Sequence, residues 1–122
     1  MILVIGGLAS GKRSFVRSLG YADSDITDAF VDQRPVVADA QELVRGANDP
    51  QSLSKLVCQL AEKDVVTFVE MGSGVVPIDP CERVWRETCG RMCCELAASA
   101  DAVVRMVCGI PTWLKGEPCR GR

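Results

Sequence analysis

The chain has 122 residues, of which 48% are hydrophobic and 25% are charged, a composition typical of one soluble globular domain. The formal net charge of −2 provides no overall basic field that would favour nucleic acid or an anionic membrane as a partner. No apolar run approaches the ~20 residues that a membrane helix needs, and the first run lacks the basic flank of a signal peptide. We therefore expect a cytoplasmic protein with a single domain over residues 1–116 and a loose polar tail over residues 117–122.

The chain opens with a short apolar strand, residues 2–5, followed by a glycine-rich loop and a helical segment, residues 12–19. The spacing from Gly6 to Gly11 and Lys12 matches the phosphate-binding loop G-x-x-x-x-G-K-[ST]. Glycines let backbone N–H groups turn toward an anion, the helix start adds a positive dipole end, and Lys12 would neutralise the β- and γ-phosphates. The residues predicted to bind the nucleotide are Gly6, Gly7, Leu8, Ala9, Ser10, Gly11, Lys12, Arg13 and Ser14.

One position departs from this motif, since Arg13 stands where Ser or Thr is expected and the first hydroxyl follows at Ser14. In an intact loop that hydroxyl ligates Mg²⁺, whereas a guanidinium repels the metal and attracts phosphate. Ser14 lies about 100° further round the helix, so we do not expect it to take over this role. Nucleotide binding should therefore depend less on Mg²⁺ than it does in an intact phosphate-binding loop.

The middle of the chain supplies a candidate metal ligand. Residues 21–33 carry four aspartates and little periodicity, which predicts a polar connector with at most a short helical turn. Residues 35–39 then form an apolar strand that ends at Asp39. A carboxylate at that end of a strand, facing a phosphate-binding loop, can hold Mg²⁺. Asp39 also precedes a helical stretch, residues 40–45, so a helix N-cap is an equally weighted role, and the two roles can coexist.

The rest of the chain alternates helices with strands, which predicts a P-loop NTPase-like α/β fold. We expect a three-layer sandwich with a mostly parallel sheet, reduced to four clear strands and one short strand. Glu70 lies where a parallel strand meets its loop, the edge at which such sheets bind ligands, although a solvated carboxylate fits equally well. The remaining elements are helices over residues 51–63 and 82–100, strands over residues 65–70 and 102–108, and a short extended piece over residues 112–115.

Seven cysteines occur with no histidine and no C-x-x-C spacing. This pattern favours small apolar core residues in a reducing compartment over a metal site. The residues concerned are Cys58, Cys81, Cys89, Cys93, Cys94, Cys108 and Cys119.

Two separated blocks carry a family resemblance. The loop sequence GGLASGKRS is similar to a G-G-x-x-S-G-K-S loop, and residues 70–77, EMGSGVVP, are similar to an E-V-G-x-G-I-V-P block. Further on, residues 83–101 follow R-x-F-R-D-x-x-G-R…L-A…A-D, and residues 109–115 follow G-I-P-x-x-L-K. These patterns resemble the bifunctional adenosylcobinamide kinase/adenosylcobinamide-phosphate guanylyltransferase family. The resemblance covers about the first 20 residues and everything from residue 70 to residue 115.

The resemblance implies an enzyme of cobalamin biosynthesis that binds a nucleoside triphosphate and a corrinoid. The family phosphorylates the aminopropanol hydroxyl of adenosylcobinamide and then transfers GMP from GTP through a histidine, and it usually assembles as a trimer. For this chain it implies a homo-oligomer and Mg²⁺ with GTP or ATP as cofactors. It also implies Lys12, Asp39 and Glu70 as catalytic residues, with Asp39 as the metal ligand.

The chain departs from the family pattern at positions that bear on which of the two family activities is expected. It has no histidine, and it is shorter between the first helix and Asp39, where that histidine belongs. A T-N pair of the family is Phe68 and Val69 here, and an asparagine of the long helix is Cys93. We therefore expect the guanylyltransferase step to be absent. Three interpretations stay open. The first is a kinase without that step, and the second is a non-catalytic nucleotide-binding remnant or partner subunit. The third is an unrelated small P-loop kinase, for which the match over residues 70–115 would be chance.

Overall fold

The computed structural model of the chain describes residues 1–7, 10–46, 49–69 and 79–116. Its strands are β1 (Ile2–Gly6), β2 (Ile26–Asp28), β3 (Val36–Ala38), β4 (Val65–Val69), β5 (Ala102–Val107) and β6 (Ile110–Lys115). Its α-helices are α1 (Lys12–Ser18), α2 (Pro50–Ala61) and α3 (Pro80–Ser99), and 3-10 segments cover Asp23–Asp25 and Ala40–Gly46.

The strands form one mostly parallel sheet in the order β2-β3-β4-β1-β5-β6. The strands β1 to β5 pair in parallel, and β6 pairs antiparallel to β5. Because β1 lies between β4 and β5, the loop that follows β1 emerges at the centre of the sheet's carboxyl edge. The carboxyl ends of β3 and β4 lie along the same edge, where open α/β sheets bind ligands.

Helices cover both faces of the sheet, as the three-layer prediction requires. Successive residues of β1 point to opposite faces, and Leu3 and Val4 are both fully buried. Leu3 belongs to the core beneath α2 and α3 together with Phe68, whereas Val4 belongs to a second core with Val16 of α1. The predicted α/β class, with a P-loop-like arrangement and a mostly parallel sheet, is confirmed.

The strand β2 corrects the sequence-based interpretation of residues 21–33 as a polar connector. Within that segment, Ile26 and Thr27 are buried and pair with β3. A run of three residues among aspartates carries no periodic signal, and its burial depends on a tertiary contact with β3. The described sheet therefore has six strands, one more than the sequence predicts. A second difference concerns the stretch after Asp39, which is a 3-10 segment.

The cysteines correct another expectation. Cys89 is buried in the core, and burial raises the pKa of its thiol to about 12, so that it stays protonated. Four others, Cys58, Cys81, Cys94 and Cys108, are exposed, because they lie on outer helix surfaces or in a turn. The core interpretation is therefore wrong for these four. Among the described residues, no three Cys, Asp or Glu side chains come together as a metal site, and none of their helices is long and apolar enough to cross a bilayer.

Candidate nucleotide-binding site

The side chain of Lys12, the first residue of α1, turns back into the loop after β1. The Lys12 side chain is only 9% exposed, and its ammonium donates hydrogen bonds to the carbonyl oxygens of Gly6 at 3.3 Å and Gly7 at 2.7 Å. Burial lowers the pKa of Lys12, and the negative charge of Asp39 opposes that shift. A bound anion would compensate the solvation that the ammonium has lost.

Two glycines of the loop are required by close packing. A Cβ at Gly6 would lie 2.4 Å from Ser10 Oγ and 2.8 Å from the carbonyl oxygen of Met106. Gly11 has a φ of +94°, and a Cβ there would lie 3.0 Å from Gly109 Cα. The backbone N–H of Gly109 donates to the carbonyl oxygen of Ser10 at 2.9 Å. The turn between β5 and β6 therefore supports the loop from one side, and no side chain fits between them.

A cleft of about 330 Å³ lies between this loop and the carboxyl ends of β3 and β4. Its wall brings Lys12 and Asp39 together although they are far apart in the sequence. The lining residues are Ser10, Gly11, Lys12, Arg13, Ser14, Ala38, Asp39 and Thr67.

Asp39 leaves β3 in a left-handed backbone conformation with a φ of +54°. Its backbone N–H donates to Thr67 Oγ1 at 2.9 Å, and its carbonyl oxygen accepts from the N–H of Glu42 at 3.1 Å, which closes the first turn of the 3-10 segment. Thr67 is a site residue that was not predicted from the sequence. The feature of the sequence that could have indicated it is a hydroxyl side chain inside an otherwise apolar strand. A hydroxyl buried in this way needs a hydrogen-bond partner.

Arg13 lines the cleft, but its charge is already paired. Its guanidinium lies 2.5 Å from a carboxylate oxygen of Asp28 at the end of β2, and this bond raises the pKa of Arg13. A second carboxylate, that of Asp23, lies 3.9 Å away. Asp28 was missed because the strand that carries it was missed. Ser14 is exposed and lines the same cleft, so its hydroxyl is accessible from the site.

The residues of the cleft fit a Mg²⁺–triphosphate. Lys12 supplies a cation for phosphate, and Asp39 supplies a carboxylate, the kind of oxygen donor that Mg²⁺ prefers. The Oγ atom of Ser10 is buried and has no hydrogen-bond partner among the described residues. An unpartnered buried hydroxyl is costly by about 1–3 kcal/mol, and a ligand oxygen in the cleft would relieve that cost. Of the residues predicted from the sequence, Leu8, Ala9 and Glu70 lie outside the described residues.

Fold and cleft together define a P-loop-like α/β protein with a polar cavity at the carboxyl edge of its sheet. A sequence model of the family described as cobinamide kinase / cobinamide phosphate guanyltransferase matches residues 36–114, which is more than half of the chain. The chain therefore belongs to this family, which is associated with cobalamin biosynthesis, and the predicted family is confirmed. A search of curated proteins found no match. The matched region contains Asp39 and Thr67 but begins after the phosphate-binding loop, whose assignment rests on its own motif and geometry.

Proposed function

We propose that the protein is a nucleoside-triphosphate-dependent kinase that phosphorylates the hydroxyl group of adenosylcobinamide. The observation that carries this proposal is the cleft itself, where Lys12 at the start of α1 and Asp39 just after β3 line one cavity. Membership of a family whose description includes cobinamide kinase supports a cobinamide as the acceptor. The proposal does not include the guanylyltransferase activity that the family description also names.

Each residue of the cleft has a separate role in phosphoryl transfer, whose catalysis consists mainly of positioning and charge neutralisation. Lys12 would exchange its carbonyl partners for phosphate oxygens, and the backbone of the loop would hold the anion. Asp39 would hold Mg²⁺, which when bound neutralises charge on the β- and γ-phosphates. The role proposed for Glu70 rests on the sequence alone, and it is either to contact the acceptor hydroxyl or to complete the metal shell. The terminal phosphoryl group then passes to the acceptor hydroxyl, and a nucleoside diphosphate and a proton leave.

The guanylyltransferase step is excluded from the proposal on chemical grounds. The resemblance implies that the family carries GMP on a histidine, and this chain contains no histidine. Transfer of GMP by that route therefore has no side chain to carry the covalent intermediate. We expect no GMP-linked protein after incubation with GTP.

The second candidate function is nucleotide binding without catalysis, either alone or as a partner subunit. The observation that favours it is Arg13, which occupies the position of the metal-binding hydroxyl and is held there by Asp28. Such a protein would retain the loop, Lys12 and the buried Ser10 hydroxyl. It would bind a triphosphate but would not orient the metal for transfer.

One experiment separates these functions. Purified protein is incubated with Mg²⁺, adenosylcobinamide and either ATP or GTP, and the corrinoid and the protein are analysed by mass spectrometry. Phosphorylated corrinoid without GMP on the protein supports the kinase. Nucleotide binding without phosphorylation contradicts the kinase and supports the binding protein. A GMP-linked protein would contradict the exclusion of the second step.

The assembly state is part of the same proposal. The family resemblance implies a homo-oligomer, with a trimer as the expected form, acting in the cytoplasm. Light scattering coupled to size-exclusion chromatography measures the mass directly. A monomer at all accessible concentrations would contradict the expected assembly without affecting the assignment of the cleft.

A further inference from the structure

Thr67 places a hydroxyl in the middle of a strand that is otherwise apolar. Its neighbours Val66 and Phe68 are fully buried, and Thr67 itself is 3% exposed. The Thr67 side chain lines the phosphate cleft, and its Oγ1 accepts the backbone N–H of Asp39 at 2.9 Å. The one polar side chain of β4 is therefore hydrogen-bonded to Asp39, the candidate metal ligand.

This hydrogen bond begins where the backbone ladder between β3 and β4 ends. The last registered pair of that ladder is Val37 with Val66. Asp39 comes two residues later, and its N–H is bonded to the side chain of Thr67. At the same residue the chain turns into the left-handed region, which is uncommon outside glycine although aspartate adopts it more readily than most residues. The Thr67 hydroxyl is therefore one of the contacts that set the direction in which Asp39 leaves the strand.

We propose that Thr67 is a positioning residue that holds Asp39 for binding of the Mg²⁺–triphosphate. This inference rests on the proposed nucleotide-binding function and extends it to a residue that acts through another. With the N–H of Asp39 fixed, its carboxylate starts from a defined point beside Lys12. Without the Thr67 acceptor, the Asp39 N–H loses its partner and the turn loses a constraint. The consequence should appear in metal dependence, because Asp39 supplies the carboxylate.

A second buried threonine provides a matched control. Thr27 on β2 is 2% exposed, and its Oγ1 donates to the carbonyl oxygens of Phe30 at 2.5 Å and Val36 at 3.2 Å. It resembles Thr67 in burial and in bonding to the backbone, but it does not line the phosphate cleft. If buried threonines matter here only for packing, the two should behave alike when replaced by valine.

The test compares Thr67→Val, Thr67→Ser and Thr27→Val with the wild-type protein. The affinity for ATP and for GTP is measured by calorimetry in Mg²⁺ and in EDTA. The affinity in Mg²⁺ divided by the affinity in EDTA is called the metal gain. We expect Thr67→Val to reduce that gain about 10-fold, which is typical of losing a group that orients a metal ligand. Thr67→Ser keeps the acceptor and should retain the gain. Thr27→Val should lower the Tm while the gain is unchanged.

Two further measurements make the result specific to Asp39. Hydrogen exchange at the Asp39 amide, measured by NMR without ligand, should accelerate in Thr67→Val and stay slow in Thr67→Ser. In a double-mutant cycle, Thr67→Val should have little effect on the metal gain once Asp39→Asn is present. Should Thr67→Val not fold, Thr67→Cys keeps the size of the side chain while weakening the acceptor and makes the same comparison.

The outcomes distinguish this inference from the proposed function. An unchanged metal gain in Thr67→Val, or effects of Thr67→Val and Asp39→Asn that add independently, overturns the positioning role while nucleotide binding stands. Wild-type protein that binds nucleotide with no gain from Mg²⁺ also overturns it. Wild-type protein that binds neither nucleotide overturns the proposed function and the positioning role together.

Discussion

The phosphate cleft and the groove between α2 and α3 are similar in size but differ in chemistry. The cleft occupies about 330 Å³ at the carboxyl edge of the sheet, and the groove occupies about 390 Å³ on the face that α2 and α3 cover. Side chains of both helices form the groove, and its lining combines the apolar Leu53 and Met92 with the charged Arg91 and Glu95. The cleft is lined by a loop and by strand ends, with a lysine, an aspartate and hydroxyl groups facing one cavity.

The two regions also differ in what the polar groups near them contact. Beside the groove, the guanidinium of Arg45 lies 3.7 Å from the ring centre of Trp85 and forms an ion pair with Glu82 at 3.0 Å. That charge is satisfied within the protein. In the cleft, the hydrogen bonds of the Lys12 ammonium go to neutral carbonyl groups, and Ser10 Oγ has no partner among the described residues. A buried ammonium bonded to carbonyl groups and a buried hydroxyl with no described partner therefore favour the cleft over the groove as the candidate ligand site.

Replacing the cleft lysine should have the largest effect. Lys12→Met removes the charge that meets the phosphates, and we expect binding of ATP or GTP to weaken by about 30-fold, or about 2 kcal/mol. Lys55→Met removes an exposed lysine of α2 on the other face and is the matched control. Calorimetric titration of both variants measures the difference. If Lys12→Met and Lys55→Met bound the nucleotide with equal affinity, the assignment of the cleft as the nucleotide site would be contradicted.

Adding one methyl group to the loop should have the next largest effect. Gly6→Ala places a Cβ against the carbonyl oxygen of Met106, so the backbone must move. We expect a loss of about 2 kcal/mol in the free energy of unfolding, a Tm lower by about 8 °C, and weaker nucleotide binding. Gly7→Ala, where no atom of the described residues beyond the chain neighbours lies within 4 Å of the added Cβ, should stay within about 0.5 kcal/mol of wild type. Similar thermal unfolding curves for the two variants would contradict the packing described for the loop.

Exchanging the two residues after the lysine should have a smaller effect. The double substitution Arg13→Ser with Ser14→Arg restores the motif order and breaks the ion pair with Asp28. We expect the gain in nucleotide affinity from Mg²⁺ to rise about 5-fold, because a hydroxyl replaces a cation next to the metal. Arg17→Ser removes a neighbouring arginine of α1, paired with Asp23 at 2.8 Å, and is the charge control. A gain that does not change in the exchanged protein would contradict the role given to position 13.

The pH dependence of binding should be the smallest effect. Burial lowers the pKa of free Lys12, and a bound polyanion favours the charged ammonium and raises that pKa again. Binding therefore takes up protons, and affinity should fall as the pH rises through the lowered pKa of the free protein. Titrations between about pH 8 and pH 10 test this, since the phosphates are fully ionised there. In Lys12→Met the affinity should be flat over this range, and a parallel fall in both proteins would exclude Lys12 as the cause.

The sequence predicted the elements that carry a repeating pattern and missed those that depend on contacts. The strand before the loop, Lys12 at the start of α1 and Asp39 after β3 follow from local motif and periodicity. The strand β2 could not be predicted, because three residues acquire their conformation by pairing with β3. Asp28 was missed with that strand. Thr67 was missed because its partner, the Asp39 N–H, is distant in the sequence and reaches it only once β3 and β4 are neighbours.

The most direct test of the cleft as the nucleotide site is the backbone ¹H–¹⁵N NMR spectrum during titration with Mg²⁺ and ATP or GTP. We expect the amide signals of residues 10–14, 38, 39 and 67 to shift with one saturating curve, while those of residues 53–57 and 88–95 along the groove stay in place. Shifts centred on the groove, or no saturable shift at nucleotide concentrations up to about 1 mM, would contradict the assignment.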